Sequence, residues 1–505
     1  MKRVFAHIGF SFAITLIILN VFTIKAALAV LMIAGAAFAV TSAVKKTRRA
    51  VSFPLCAFSA FLACVLFISS YYGTFLPQKA LDGKTAEGEF YIVDVDKSAS
   101  GEYYYYTVKT LSIDSEGAPQ NIKTKITSFN KIDADYYQVM KGTLRFRLSA
   151  ENGFDSYGDF GDGIFLTSSL KSFEITDKKI SSPYKYILYL RDHIKNLVKT
   201  QIGGDEGGFI LAMLIGDKSG LSSEIKDNFR ASGASHIMAV SGLHLAVLSG
   251  TVYWLLKKIR MPKVPRIILS FIAVFFYMAL AGFSKSIVRA GIMMIILLAG
   301  RLFNEKSDSL NSLGFAVFII CLNPYAVTDA GASLTVTAVL GLLTVNPIIS
   351  RGYKPKSKLI KYPYEILTAS LSVFITTLPV LYFTFGYVSF IGVFLNIVMI
   401  PLAQFSLIIS FVMVIFQWIS PALFVTSFIA KNSASLILFI TEKCALLPFA
   451  VRYIDTPEVG LAIAAVLFMF GVAFIFGIKK TLKTCAVISV ALAIIILLVS
   501  MMVQY

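Results

Sequence analysis

The sequence predicts a polytopic α-helical membrane protein carrying one small β-rich extracellular domain. Three observations predict it. The 505-residue chain is 56% hydrophobic with a mean hydropathy of +0.74, far more apolar than a soluble protein of this length. Many stretches approach the roughly 20 apolar residues that cross a bilayer. One segment, 72–182, interrupts them with polar, strand-like sequence.

The formal net charge of +18 is unevenly placed. Residues 72–180 hold 13 Lys+Arg against 16 Asp+Glu, a net of −3, which leaves +21 on the rest. That excess falls in short loops: 45–49, 257–266, Arg301 with Lys306, 351–361 and 479–483. Loops of this kind set membrane orientation, so the basic pI reads as topology rather than as nucleic-acid affinity. Placing every basic loop inside gives a multi-pass cell-membrane protein with a cytoplasmic N-terminus and an extracellular C-terminus. Cys56, Cys64, Cys321, Cys444 and Cys485 all lie in or beside apolar segments, with no CxxC and no Cys/His cluster. No metal site and no disulfide in the polar insert are expected. Met1-Lys2-Arg3 and the apolar run after it imitate a signal peptide, but apolar sequence resumes through Val44, which predicts an uncleaved helical hairpin.

The chain divides into N-terminal transmembrane helices (1–71), the β domain (72–182), amphipathic surface helices (183–232) and a transmembrane domain (233–505). Spans are expected at 4–20, 26–44 and 51–71. In the insert, Thr143–Leu148 alternates cleanly, with Leu144, Phe146 and Leu148 on one face and Arg145 and Arg147 on the other. Strands are also expected at 90–93, 103–108 and 122–129, with Gly-Asp turns at 158–159 and 161–163 closing the insert. At least five short strands suggest a closed or half-open barrel. Residues 184–199 are amphipathic and predict a helix on the membrane surface. Further spans are expected at 236–256, 267–283, 287–302, 309–323, 332–350, 364–385, 457–476 and 484–503. Pro401 predicts a broken, re-entrant hairpin over 388–418, and 422–448 reads as an outer amphipathic segment. The chain has no clear internal repeat, which weighs against an inverted-repeat transporter.

Two of the four histidines lie in one stretch, Ser232-Gly233-Ala234-Ser235-His236-Ile237-Met238-Ala239-Val240-Ser241-Gly242-Leu243-His244. Polar groups are costly in hydrocarbon and usually face a bundle interior or a water-filled path. If the stretch is helical, Ser241 and His244 are near neighbours, while His236 lies two turns back and off their face. Three readings stand: buried polar residues satisfying one another between helices, the lining of a polar path, or a Ser/His nucleophilic pair. A second stretch, Gly282-Phe283-Ser284-Lys285-Ser286-Ile287-Val288-Arg289, puts two cations on one helical face. Lys285 suits snorkelling to the interface. Arg289 lies deeper, where a charge costs about 2.5–3.5 kcal/mol on insertion scales. An anion-facing role supplies a reason for it. Asp329 either pairs with Arg289 or faces outer water, and Asn396 is placed to cap a broken helix.

These residues resemble the ComEC family of competence DNA-uptake channels. The resemblance rests on Gly216-Asp217-Lys218-Ser219, on the 233–244 stretch, on Gly282 with Ser286, Arg289, Ala290 and Met293, and on Asn396 with Pro401-Leu402. Gly153-Phe154-Asp155, Tyr157 and Gly163-Ile164 resemble the end of that family's extracellular OB-like domain. Two departures stand out. Asp329-Ala330 is followed by Gly331-Ala332-Ser333-Leu334-Thr335-Val336, without the family's Phe and Gln. Many members also continue into a metallo-β-lactamase-like domain with a His-x-His-x-Asp-His cluster, whereas this sequence holds only His7, His193, His236 and His244.

The resemblance implies a membrane channel conducting single-stranded DNA into the cytoplasm, with no enzymatic step and no cofactor. Ser232, Gly233, Ser235, His236, Ser241, Gly242, His244, Lys285, Ser286 and Arg289 would line the path, while Gly216, Asp217, Lys218, Asn396 and Pro401 would serve structure. Its partners would be single-stranded DNA, membrane lipid, a separate DNA receptor, a nuclease and a cytoplasmic ATP-driven translocase, with room for a homo-oligomer. No Gly-x4-Gly-Lys-(Ser/Thr) loop occurs, so pulling must come from a partner. In Tyr103–Tyr106, alternate rings face opposite sides of a strand, so two are expected in the core. The remaining readings are a transporter of another polyanion or of a lipid-linked substrate, and an intramembrane Ser/His hydrolase.

Overall fold

A computed structural model describes residues 3–20, 52–97, 103–115, 118–149, 159–303, 308–351, 355–448 and 450–453. The expected spans at 26–44, 457–476 and 484–503, the basic runs 45–49 and 479–483, Gly153–Tyr157, Cys485 and the C-terminus lie outside them. The chain forms two compact units, Met1–Ser222 with Leu248–Asp329, and Ser223–Val247 with Ala330–Tyr505.

The first unit begins with α1 (Val4–Asn20) and α2 (Ser52–Ser70). α2 continues through a π turn, Tyr71–Phe75, and a last α-helical turn to Lys79. The helix therefore outruns the expected end at Tyr71. Pro77 does not stop it: it falls just after the π turn and costs one intrahelical hydrogen bond.

The polar insert folds into β1 (Thr85–Lys97), β2 (Tyr104–Ile113), β3 (Lys123–Ser128), β4 (Gln138–Leu148) and β5 (Ile164–Lys179). They close into a barrel in the order β1-β2-β3-β5-β4. β3 and β5 run parallel and the other pairs antiparallel. The alternation read in β4 is observed, with Leu144 and Phe146 in a core shared with Phe90, Ile92, Tyr106, Val108, Ile126 and Leu166. Tyr106 is buried and its hydroxyl accepts the Ile132 N–H at 2.7 Å, while Tyr105 faces outward. One expectation is corrected: the 161–163 turn does not close the insert but feeds β5, the longest strand.

α3 (Tyr184–Gln201) follows. One face of this helix packs on the barrel: Leu188 joins Tyr91 and Tyr137, Ile194 and Val198 are also buried, and Arg191 pairs with Asp94 at 3.3 Å. The opposite face, with Tyr186 and Tyr189, is exposed. α4 (Gly204–Ile215) is almost wholly buried. α6 (Gly242–Lys258), α7 (Lys263–Leu280), α8 (Lys285–Phe303) and α9 (Ser309–Ile320) follow α5 (Ser223–Ala231) in the chain. α9 has twelve residues, short of the expected span.

The second unit contains α5, the start of α6, and α10 (Ala330–Leu340), which passes through a π turn, Gly341–Val345, to Ile349. α11 (Lys358–Phe385), β6 (Tyr387–Val388), α12 (Ile391–Ile415), α13 (Ser420–Ala445) and β7 (Arg452–Tyr453) complete it, with β6 and β7 antiparallel. One expectation fails here: residues 388–418 do not form a re-entrant hairpin, because α12 is continuous across Pro401. Residues 422–448, expected as an outer amphipathic segment, form α13, which is long and apolar enough to cross a bilayer. A proline removes one intrahelical bond, and packing against a neighbouring helix holds the rest. α12 and α13 are joined by a hydrogen bond from Ser433 Oγ to Ser406 Oγ (3.0 Å). Among the described residues, seven helices are long and apolar enough to cross a membrane: α2, α7, α8, α10, α11, α12 and α13, with α2 and α10 counted through their π turns.

Phe146 is fully buried in the barrel. Phe146→Ala is expected to destabilise the barrel by about 3–5 kcal/mol, seen as faster amide hydrogen exchange throughout β1–β5.

Candidate functional site

The site residues expected from sequence fall in both units. In the second, Ser232–Ser241 is a turn segment and α6 begins only at Gly242. The helical spacing expected between His236 and His244 is therefore overturned. The turn is fixed by glycine. Gly233 has φ +70°, and a Cβ there would lie 2.9 Å from Ser389 Oγ and 3.0 Å from Gly392 Cα. Ser389 Oγ in turn donates to the Ala231 carbonyl at 2.8 Å. Ser232 is buried and donates to the Phe229 carbonyl at 3.3 Å. Ser235 is half-buried and His236 exposed.

Ser241 and His244 do meet, as the sequence suggests, but as a helix cap. The Ser241 carbonyl accepts the Leu245 N–H at 3.3 Å. His244 Nδ1 accepts the Ser241 N–H at 3.1 Å and lies 2.8 Å from Ser241 Oγ. The side chain of the third helical residue reaching back to the N-cap N–H is one half of a capping box, with histidine in the place of glutamate. The hydrogen-bond network assigns Nδ1 as an acceptor, so the serine hydroxyl is the donor in their contact. His244 is buried. A nitrogen held by a backbone N–H is poorly placed to act as a nucleophile's base, which favours the structural reading of this pair.

In the first unit, Lys285 opens α8 and is half-buried between two carboxylates, Asp329 at 3.1 Å and Asp162 at 3.3 Å. Asp162 belongs to the turn before β5, so the ion pair ties the barrel to α8. Asn323 Nδ2 adds a hydrogen bond to the Gly161 carbonyl at 2.8 Å. Aromatic rings fill the same junction: Tyr325 lies 5.2 Å from Phe165 and 6.2 Å from Phe75, and Phe160 lies 5.1 Å from Phe165. Asp162 was not expected at the site. Its only sequence signal was an acid in a glycine turn. Ser286 is half-buried one residue further on. Arg289, one turn along α8, is 1% exposed, and the Asp329 charge reaches it. Asp329 thus serves both cations of the segment.

The Gly216-Asp217-Lys218 motif ends α4. Gly216 takes the left-handed conformation, φ +78°, that stops the helix. Asp217 is buried, pairs with Lys195 of α3 at 2.9 Å and accepts the Ser219 N–H at 2.9 Å. Burial alone raises a carboxyl's pKa, but Lys195 and the Ser219 bonds outweigh it and hold Asp217 below the ordinary range. Beside it lies a cleft of about 460 Å³ lined by Tyr104, Lys131, Asp135, Tyr136 and Asp192 among others. Asp135 is likewise held low: against the opposing effect of burial, it accepts hydrogen bonds from Lys185 and Tyr189. In the second unit, Asn396 lies within α12 and donates to Ser370 Oγ at 3.2 Å, so it caps no helix end. Pro401 sits inside the same helix. Among the described residues no three His, Cys, Asp or Glu side chains group as a metal site.

These features define a class: a helical protein with several helices of membrane-crossing length and a closed β-barrel inserted after α2. The chain belongs to the competence-protein family, whose model matches residues 213–481, in accord with the ComEC-family resemblance of its motifs. It is 26% identical over 227 residues to ComE operon protein 3 of Bacillus subtilis (strain 168), covering 45% of this chain and 28% of that protein. It is 30% identical over 95 residues to competence protein ComA of Neisseria gonorrhoeae, covering 17% of this chain and 14% of that protein. The matches thus span less than a third of either relative. No solved structure matches the chain.

Two expectations follow. Asp217 titrates below its unfolded value, so its contribution is complete above the ordinary carboxylate range and is lost as pH falls through the lowered value. Asp217→Asn should cost about 1.5–3 kcal/mol at neutral pH and flatten the acid limb of a thermal-denaturation pH series. Ser241→Ala and His244→Ala should each weaken the start of α6 by about 1 kcal/mol. Their double variant should cost little more than either, as hydrogen exchange at 242–246 will register.

Proposed function

We propose that this chain is a multi-pass membrane channel that conducts single-stranded DNA into the cytoplasm during competence. The observation that carries the proposal is the family match over 213–481, which contains both polar stretches of the site. The geometry is compatible with it. Non-helical backbone at membrane depth is tolerated only where it is buried in protein or lines a water-filled cavity. The 232–241 turn, with Ser235 half-buried and His236 exposed, has the form expected of such a lining. Arg289 supplies fixed positive charge within α8, offset by Asp329. A sparse, partly neutralised lining lets phosphates pass without trapping them.

The insert reads as an OB-type barrel. Its closed five-stranded order and its parallel β3–β5 pair support that reading, and Tyr105, Lys123 and Lys125 lie on the β2–β3 face that such barrels present to nucleic acid. In the proposed topology the N-terminus is cytoplasmic and the barrel and C-terminus are outside. α12 and α13 cross as a pair, so they preserve the sidedness that a re-entrant hairpin would have given. The conduit carries out no chemistry of its own. A separate receptor, nuclease and ATP-driven translocase act with it, and copies of the chain have room to assemble.

The test follows end-labelled DNA into protoplast-protected space in cells with the chain, without it, or with Arg289→Gln. Import is expected to require the chain and to fall about tenfold or more in the variant at equal expression, the loss of a charge-assisted contact. Unchanged import in cells without the chain and without a second copy of its gene would overturn the proposal.

A further inference from the structure

Three helix ends meet in the first unit: the last turns of α6, the first turn of α7 and the last turn of α8. Tyr253 of α6 stands at their centre. The guanidinium carbon of Arg266 (α7) lies 4.7 Å from the Tyr253 ring centroid, and that of Arg301 (α8) lies 5.2 Å from it. Two guanidiniums converging on one ring repel each other unless an anion balances them. The sequence holds no acidic residue between Asp227 and Glu305. Among the described residues neither arginine has an ion-pair partner. Arg266 Nε is buried with no hydrogen-bond acceptor. Lys257, Lys258, Arg260 and Lys263 add to the same positive cluster.

The rim of this cluster is apolar. Trp254, Ile259, Val264 and Phe303 are each more than half exposed, and Lys258 Nζ lies 5.2 Å over the Trp254 ring. A tryptophan, a lysine laid across it and a collar of apolar side chains beside the ends of two membrane-length helices, α7 and α8, are the chemistry of the bilayer interface. Nucleic acid would have no use for the collar. An anionic phospholipid uses both parts, its phosphate on the guanidiniums and its acyl chains on the rim.

We propose that Tyr253, Arg266 and Arg301 form a binding site for the head group of an anionic phospholipid. The site rests on the membrane-crossing half of the function proposed above and is independent of DNA. The chain has two tryptophans, so Trp418→Phe leaves Trp254 as the only reporter. The full chain is reconstituted in phosphatidylcholine vesicles containing phosphatidylglycerol, with one lipid or the other brominated to quench Trp254. Brominated phosphatidylglycerol should quench preferentially. Arg266→Gln and Arg301→Gln should each weaken that preference about fivefold, from about 1 kcal/mol per basic side chain at an anionic surface. Arg266→Lys with Arg301→Lys should keep most of it, which separates loss of charge from loss of fold. Equal quenching by the two lipids, or a preference that survives the double Gln variant, would overturn the site. So would relief of quenching by an added oligothymidylate that depends on the two arginines, since the anion held would then be nucleic acid. Failure of the membrane-crossing reading itself has a different signature, because then neither brominated lipid quenches Trp254.

Discussion

A charge buried in an apolar protein is costly unless it is paired, and in the first unit that cost organises the packing of the barrel against its helices. Arg191, Lys195 and Lys285 are each buried or half-buried, and each is met by an acid from another element: Asp94 from the barrel, Asp217 from the end of α4, and Asp162 with Asp329. Removing one partner leaves the other charge uncompensated in low dielectric, which costs far more than the pair is worth against an apolar replacement. The pairs therefore act less as glue than as address labels. Many arrangements of barrel and helices bury apolar surface, but few of them match every charge.

The barrel, α3 and α8 are one connected construction for this reason. The Tyr325 ring cluster supplies non-directional burial at the junction. The Lys285 ion pairs and the Asn323 hydrogen bond supply register. Lys285, expected from its sequence neighbourhood to be free for a passing anion or for the interface, is committed to holding the insert in place. Arg289, which shares Asp329 with it, lies deeper in the same helix and is 1% exposed.

Much of the architecture was legible in the sequence because burial dictates periodicity. The alternation in 143–148 and the unbroken apolar runs gave the β4 face and most long helices. Failures came where one residue type has two physical outcomes. Pro401 breaks a helix in water but is tolerated inside α12, where neighbouring helices hold the chain. The stripe of α3 fits lipid and protein equally, and its Arg191–Asp94 pair with the barrel left no trace in the pattern. The closeness of Ser241 and His244 was readable from a spacing of three. Its meaning was not, because a cap requires knowing that the helix starts at Gly242. Asp162 could not be linked to Lys285 by any local pattern, since long-range charge matching leaves no periodic trace.

The tight approach of Gly233 to Gly392 carries a consequence for how this chain can change over time. A methyl group on either glycine would press on the backbone of the other, at 3.0 Å in one direction and 3.1 Å in the other. Contacts this close leave no side chain to trim in compensation, so the facing backbone must give by a few tenths of an ångström before either position can carry a side chain. Two glycines far apart in the sequence thus act together to seat the turn that precedes α6.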